Sequence, residues 1–302
     1  MNRMRIGLLP AFAAFMMNGA AYAQTSAVRF SMSPDLPVQG TLFEVRAVPL
    51  RPGVTAVTGS IAGEPLHFMR TSDGAFSAMA GAPLDFGSAL HVRLTVIHGN
   101  GAIDTTSVPV NVASGTYALE RLSVAPRFGS PADSATQARL ARDRALAAQV
   151  SRNAHNTPRL WADVTLPRDT RITSAFGSGR EFNGQIQSRH TGTDLAGGTG
   201  APVTAAARGV IALVDTFFLA GNVIYIDHGA GLVSAYFHLS AQDVMAGDTV
   251  AAGQPIGKVG ATGRVTGPHL HWVVRYGAIS VDPMSLLDFA KATRPPTRPD
   301  HS

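Results

Sequence analysis

The chain has no cysteine among its 302 residues. That absence removes disulfides and thiolate metal ligands together, so any metal site has to be built from histidine and carboxylate. Lysine is nearly missing as well: Lys258 and Lys291 are the only two, and arginine carries the positive charge. Charged residues make up 15% of the chain and are scattered without aromatic interleaving, which argues against a nucleic-acid partner. Glutamate is scarce in the C-terminal half. After Leu160 the only one is Glu181, and no His-Glu-x-x-His occurs, so the base used by many zinc peptidases is excluded.

Beyond the N-terminal stretch no apolar run is long enough to cross a bilayer. In that stretch Arg3 and Arg5 precede an apolar segment from Ile6 to Met17, and Ala21-Tyr22-Ala23 forms a small-x-small cleavage site. Residues 1–23 therefore read as a signal peptide, which predicts a periplasmic or secreted protein. Its removal leaves 23 basic against 20 acidic residues, a net charge of +3. So modest an excess suits polyanionic surroundings such as a cell envelope.

What the sequence does contain is mainly β pattern. Across 24–115, runs such as Leu42 to Val48, His91 to Ile97 and Ser107 to Val112 alternate apolar and polar residues between turns at Pro52-Gly53, Asp73-Gly74 and Gly99-Asn-Gly101. Strands at that spacing predict a β-sandwich of immunoglobulin-like size. His67, His91 and His98 lie in or beside these strands without ligand spacing, as surface or packing residues. The period changes in 116–160, a linker. There Ser134-Ala-Thr-Gln137 fits a capping box, and the Ala- and Arg-rich run to Val150 predicts one connecting helix with a solvated basic face.

Over 161–290 the pattern returns to short strands and glycine turns, and predicts an antiparallel sheet domain. Strands are expected at 202–206, 210–214, 222–226, 232–236, 254–257 and 270–274, with 172–177 leading into a loop at Arg180-Glu-Phe-Asn-Gly184. The tail 291–302, with Pro295-Pro296 and Pro299, is expected to be disordered.

Five of the ten histidines, His190, His228, His238, His269 and His271, fall between Arg189 and Trp272. In His190-Thr-Gly-Thr-Asp194 an imidazole and a carboxylate can turn toward one ion. If 269–274 is a strand, His269 and His271 share a face while Leu270 points away. A zinc ion held by three protein ligands keeps a fourth position open for water. His190, Asp194 and one of His269 or His271 complete such a set. Hydrolysis then needs a base and an oxyanion partner, and His238 plus the other member of His-x-His are the candidates. His228, at a strand end before Gly229-Ala-Gly231, reads as a packed histidine.

The stretch from Ile172 to Pro283 resembles the catalytic domain of the lysostaphin-like (LytM-type) zinc metalloendopeptidases, which cleave peptidoglycan cross-bridges. The motifs Ser174-Ala-Phe-Gly177, His190-x-x-x-Asp194, Asp227-His-Gly229, Tyr236-x-His238-Leu239, Thr262-Gly263 and Thr266-Gly-Pro-His-Leu-His271 stand in the family's order. Phe182-Asn-Gly-Gln185 and the β domain before it resemble a secreted Gram-negative subgroup with an immunoglobulin-like N-terminal domain. The resemblance implies one zinc ion on His190, Asp194 and His271. It also implies catalytic roles for His238 and His269, and peptidoglycan stem peptides or cross-bridges as substrate. A non-catalytic wall-binding protein or amidase activator of the same fold is the competing reading. Val273 departs from the Glu or Gly of many relatives and is expected to alter the pocket wall. The N-terminal domain is expected either to cover the groove or to target the wall.

Overall fold

Alternation in the first domain becomes strands with one buried face: Val28–Ser33 and Leu90–His98 bury every second residue along most of their length. The computed structural model describes residues 23–24, 27–86, 89–122, 133–182 and 185–293. Nearly all of the expected signal peptide, and the tail from 294, lie outside the described residues. Strands Val28–Ser33, Leu42–Pro49 and Phe76–Gly81 form one antiparallel sheet. Strands Val54–Ile61, Leu90–His98 and Ile103–Val110 form the facing one. In chain order the first, second and fourth of these six strands lie against the third, fifth and sixth, the strand distribution of an immunoglobulin-like sandwich.

The second domain is built on an eight-stranded sheet. Its order runs Ile172–Ser174, Thr193–Ala196, His269–Tyr276, Leu232–Leu239, Gly221–Gly229, Gly209–Phe217 and Thr249–Val250, with Ile279–Val281 on the far end of His269–Tyr276. Alternate residues of the central strands serve different cores. Ile224, Ile226, Leu270, Trp272 and Val274 face a cluster continuous with the N-terminal sandwich. The two domains meet closely: a Cβ on Gly81 would lie 3.3 Å from both Ile279 and Val281, and Tyr276 Oη donates to Pro65 O.

Val223, Tyr225, Val233, Ala235 and Val273 face the other way, under helix Ser134–Asn153, which contributes Val150, and under Ala154 just after it. That helix is more than a solvated connector, because it packs on one sheet face. Its N-cap is Asp133, whose side chain accepts from Thr136 N at 2.7 Å, in place of the capping box expected at Ser134. Val273 packs beneath it and does not line the cavity, which corrects the expected pocket-wall change. The expected loop after Arg180 is in fact strands Gly179–Phe182 and Gln185–Arg189, separated by 183–184, which lie outside the described residues. A short strand in the linker, Leu119–Leu122, pairs parallel with Gly179–Phe182 and has no counterpart in the sequence reading. Helix Pro283–Ala292 was likewise not expected. Asp282 caps it, Pro283 opens it, and Leu286 and Phe289 are buried.

His228 is a satisfied core histidine. Its ring is fully buried, Nδ1 donates to Arg208 O at 2.9 Å and Nε2 lies 2.7 Å from Ser234 Oγ. Burial pushes its pKa down to about 4. Below the unfolded-chain value near 6.5 the unfolded state takes up a proton that the folded state refuses, so this residue's contribution is lost as pH falls from 6.5 toward 4. The expected loss is about 2 kcal/mol by pH 5. Urea midpoints at pH 7.5 and 5.0 should therefore fall less for His228→Gln than for the wild type. An equal fall in both would exclude the buried neutral imidazole as the source.

Candidate active site

The site lies on the same sheet face as helix Ser134–Asn153, on the part that the helix leaves open. Strand Thr193–Ala196 pairs antiparallel with His269–Tyr276 so that Asp194 lies opposite His271. Phe237 of the next strand pairs with His271 on its other side and stacks on its ring, with centroids 5.3 Å apart. His190 enters from the residue after strand Gln185–Arg189 and is 1% exposed. Gly192 lets the two approach, since a Cβ there would sit 2.6 Å from Trp272 O and 2.8 Å from His271 Cε1.

Three donor atoms converge. His190 Nε2 is 3.0 Å from Asp194 Oδ1 and 2.9 Å from His271 Nδ1, and His271 Nδ1 is 2.6 Å from Asp194 Oδ1. The tautomer of His190 follows from its other nitrogen, which lies 2.9 Å from Ala175 O. A carbonyl only accepts, so Nδ1 carries the proton and Nε2 presents a lone pair. Burial alone would raise the Asp194 carboxyl, but its pairs with His271 and His190 outweigh that and hold it ionised well below the usual carboxylate range. A buried carboxylate and imidazole lone pairs pointing at one spot are what a divalent cation stabilises. Two nitrogens and one oxygen with room for water fit one zinc ion. Of the two candidates in His-x-His, His271 is the one in this cluster. His269 Nε2 stays 3.6 Å from Asp194 Oδ1.

His238 and His269 face the same cavity, whose volume is about 770 Å³. Their rings are 5.0 Å apart. His238 Nδ1 donates to Thr262 O at 2.8 Å and His269 Nδ1 to Gly267 O at 2.9 Å, so both turn an unprotonated Nε2 toward the opening. Burial, then the neighbouring His271 and His269, pushes His238 down to about 3, which keeps it neutral. His238 gets its aim from a backbone irregularity. Between Asn222 and Ile224 the partner strand advances from Leu239 to Tyr236, an extra residue that makes a β-bulge, and His238 itself has φ +64°.

Around the ligands lies a second layer that sequence reasoning did not assign. Arg180 Nη2 donates to Asp194 Oδ2 at 2.8 Å, leaving Oδ1 for the cluster. Ser174 Oγ lies 2.9 Å from His190 Nδ1, and Glu120 accepts from Ser174 Oγ at 2.8 Å. No spacing in the sequence marks Glu120, because it reaches the site only through the unexpected strand Leu119–Leu122.

A mixed nitrogen and oxygen cluster on a small antiparallel sheet, with two further imidazoles turned into the same cavity, is the layout of a metallopeptidase catalytic domain. Residues 188–283 match the model of peptidase family M23. Over 118 residues the chain is 38% identical to the peptidoglycan DD-endopeptidase ShyC of Vibrio cholerae, which is 38% of this chain and 27% of that protein. Over 117 residues it is 42% identical to the DD-carboxypeptidase/endopeptidase Mpg of Neisseria meningitidis, 39% of this chain and again 27% of the relative. The chain thus matches about a quarter of the length of these relatives. A crystal structure of an M23 peptidase from Pseudomonas aeruginosa superposes with a TM-score of 0.64 at 27% identity, covering 84% of this chain and 96% of that one. The likeness in fold therefore extends to the N-terminal sandwich.

Proposed function

We propose that the protein is a zinc-dependent endopeptidase that hydrolyses peptide cross-links of bacterial peptidoglycan outside the cytoplasm, in the periplasm or after secretion. The observation that carries this reading is the convergence of His190 Nε2, Asp194 Oδ1 and His271 Nδ1 beside two imidazoles that each present a bare Nε2. The relative ShyC, named for action on peptidoglycan, supports the substrate. So does the cavity wall, where Arg171, Arg189 and Arg264 suit acidic stem peptides.

The residues divide the work as follows. His190, Asp194 and His271 would hold the ion, which when bound polarises the scissile carbonyl and lowers the pKa of the attacking water. One of His238 and His269 accepts the water's proton at Nε2 and becomes an N–H donor. The other, also presenting a bare Nε2, accepts a hydrogen bond from the attacking water and orients it, while the N–H formed on the first steadies charge developing on the carbonyl oxygen. The carbonyls of Thr262 and Gly267 keep both rings in the orientation this needs. Arg180 keeps Asp194 from turning its second oxygen inward. The proton held on the basic imidazole then passes to the leaving amine.

Purified peptidoglycan, digested and resolved by mass spectrometry, should yield uncrosslinked stem peptides. The same reaction should stop with a chelator and return on adding zinc. Intact cross-links after digestion with zinc-loaded protein would refute the proposal.

A further inference from the structure

The metal cluster draws support from a part of the chain that precedes the peptidase domain. Strand Leu119–Leu122 follows the N-terminal sandwich and pairs with Gly179–Phe182, and Gly179 N donates to Ala118 O at 2.8 Å. Just before it, Tyr117 Oη donates to Gln39 O of the sandwich, while the Tyr117 ring stands edge-on to Phe176, with centroids 6.4 Å apart. The strand is thereby tied to both domains. It lines the cavity beside the ligands and carries Glu120.

Glu120 has contacts that lead to two different ligands. Its oxygens accept from Ser174 Oγ at 2.8 and 2.9 Å. Because a carboxylate only accepts, the Ser174 hydroxyl must spend its proton on Glu120, and its lone pairs then face His190 Nδ1 at 2.9 Å and Arg180 Nη2 at 3.0 Å. That direction favours the Nδ1–H form of His190, the form that leaves Nε2 bare. On the second route Glu120 Oε2 lies 3.4 Å from Arg180 Nε, and Arg180 Nη2 holds Asp194 Oδ2 at 2.8 Å. Arg180 Nε is buried without a hydrogen bond, so the nearby carboxylate is what offsets the cost of burying that end of the guanidinium. Glu120, Ser174 and Arg180 all lie outside residues 188–283.

We propose that Glu120 is a positioning residue of the metal centre, fixing His190 through Ser174 and Asp194 through Arg180 from a strand outside the peptidase domain. This rests on the reading that His190, Asp194 and His271 bind zinc. Partners one shell outside metal ligands set the orientation and basicity of those ligands, and losing one weakens metal binding by roughly 10- to 100-fold.

The test is the zinc affinity of the full chain, measured by competition with a chromophoric chelator, for wild type, Glu120→Gln, Glu120→Ala and Ser174→Ala. Thermal unfolding of the metal-free forms reports on the fold. Each substitution is expected to weaken zinc binding by about 10- to 100-fold while metal-free unfolding stays near wild type. Ser174→Ala carries the question if Glu120→Ala does not fold. Unchanged zinc affinity in all variants would overturn the proposal. So would unchanged affinity with faster peptidoglycan cleavage in Glu120→Gln, because Glu120 would then be obstructing the groove. A wild type that binds no zinc would instead remove the functional reading on which this one rests.

Discussion

Replacing His190 by alanine is expected to abolish stoichiometric zinc and, with it, cleavage of peptidoglycan. Among the described residues His190 supplies one of three converging donor atoms, and it is 1% exposed. Its loss leaves Asp194 and His271 as a two-atom site. Lewis-acid stabilisation of several kcal/mol disappears with the ion, which corresponds to a rate decrease on the order of a thousandfold or more. The informative comparison is His269→Ala. Its Nε2 is 3.6 Å from Asp194 Oδ1 and its Nδ1 is held by Gly267 O, so it is outside the cluster but within the cavity. That variant should retain about one zinc per chain while kcat falls by roughly 10²- to 10⁴-fold, the usual worth of a positioned acid or base. Metal analysis after gel filtration, paired with rate measurements, separates the two roles. Loss of zinc in His269→Ala together with retention in His190→Ala would reverse the assignment.

The ligand motifs were legible because their spacing is local. His190 and Asp194 are four residues apart, near enough to turn toward one ion, and alternation puts His269 and His271 on one strand face. Choosing His271 over His269 was beyond spacing. It depends on Asp194 pairing across the ladder with His271, a register that no single strand encodes. The same limit explains Glu120, whose partners Ser174 and Arg180 are reached through a parallel pairing between distant segments. Helix Ser134–Asn153 was visible in composition, but its packing was not. Few of its side chains are buried, and its apolar contact with the sheet runs through Leu146, Ala147 and Val150, which leave little amphipathic signal. The helix Pro283–Ala292 did carry a signal, an Asp cap followed by proline, that reading for strands passed over.

His238→Gly should be catalytically crippled yet more stable than His238→Ala. In a regular strand His238 would point to the face opposite Phe237, away from the cluster. The extra residue between Tyr236 and Leu239 and a φ of +64° turn its ring back into the cavity, where Thr262 O fixes it. A non-glycine residue in this left-handed region costs about 1–2 kcal/mol. The fold accepts that cost at the position where an imidazole is needed, as expected for strain kept at a functional site. Alanine retains a Cβ and therefore the strain, but lacks the ring. Glycine lacks both. Both variants should bind zinc and lose roughly 10²- to 10⁴-fold in kcat. In urea the glycine variant should unfold later than the alanine variant, by about 1 kcal/mol, although glycine in an ordinary strand position would be the less stable of the two. The reverse order would mean that His238 is unstrained and that the bulge does not aim it.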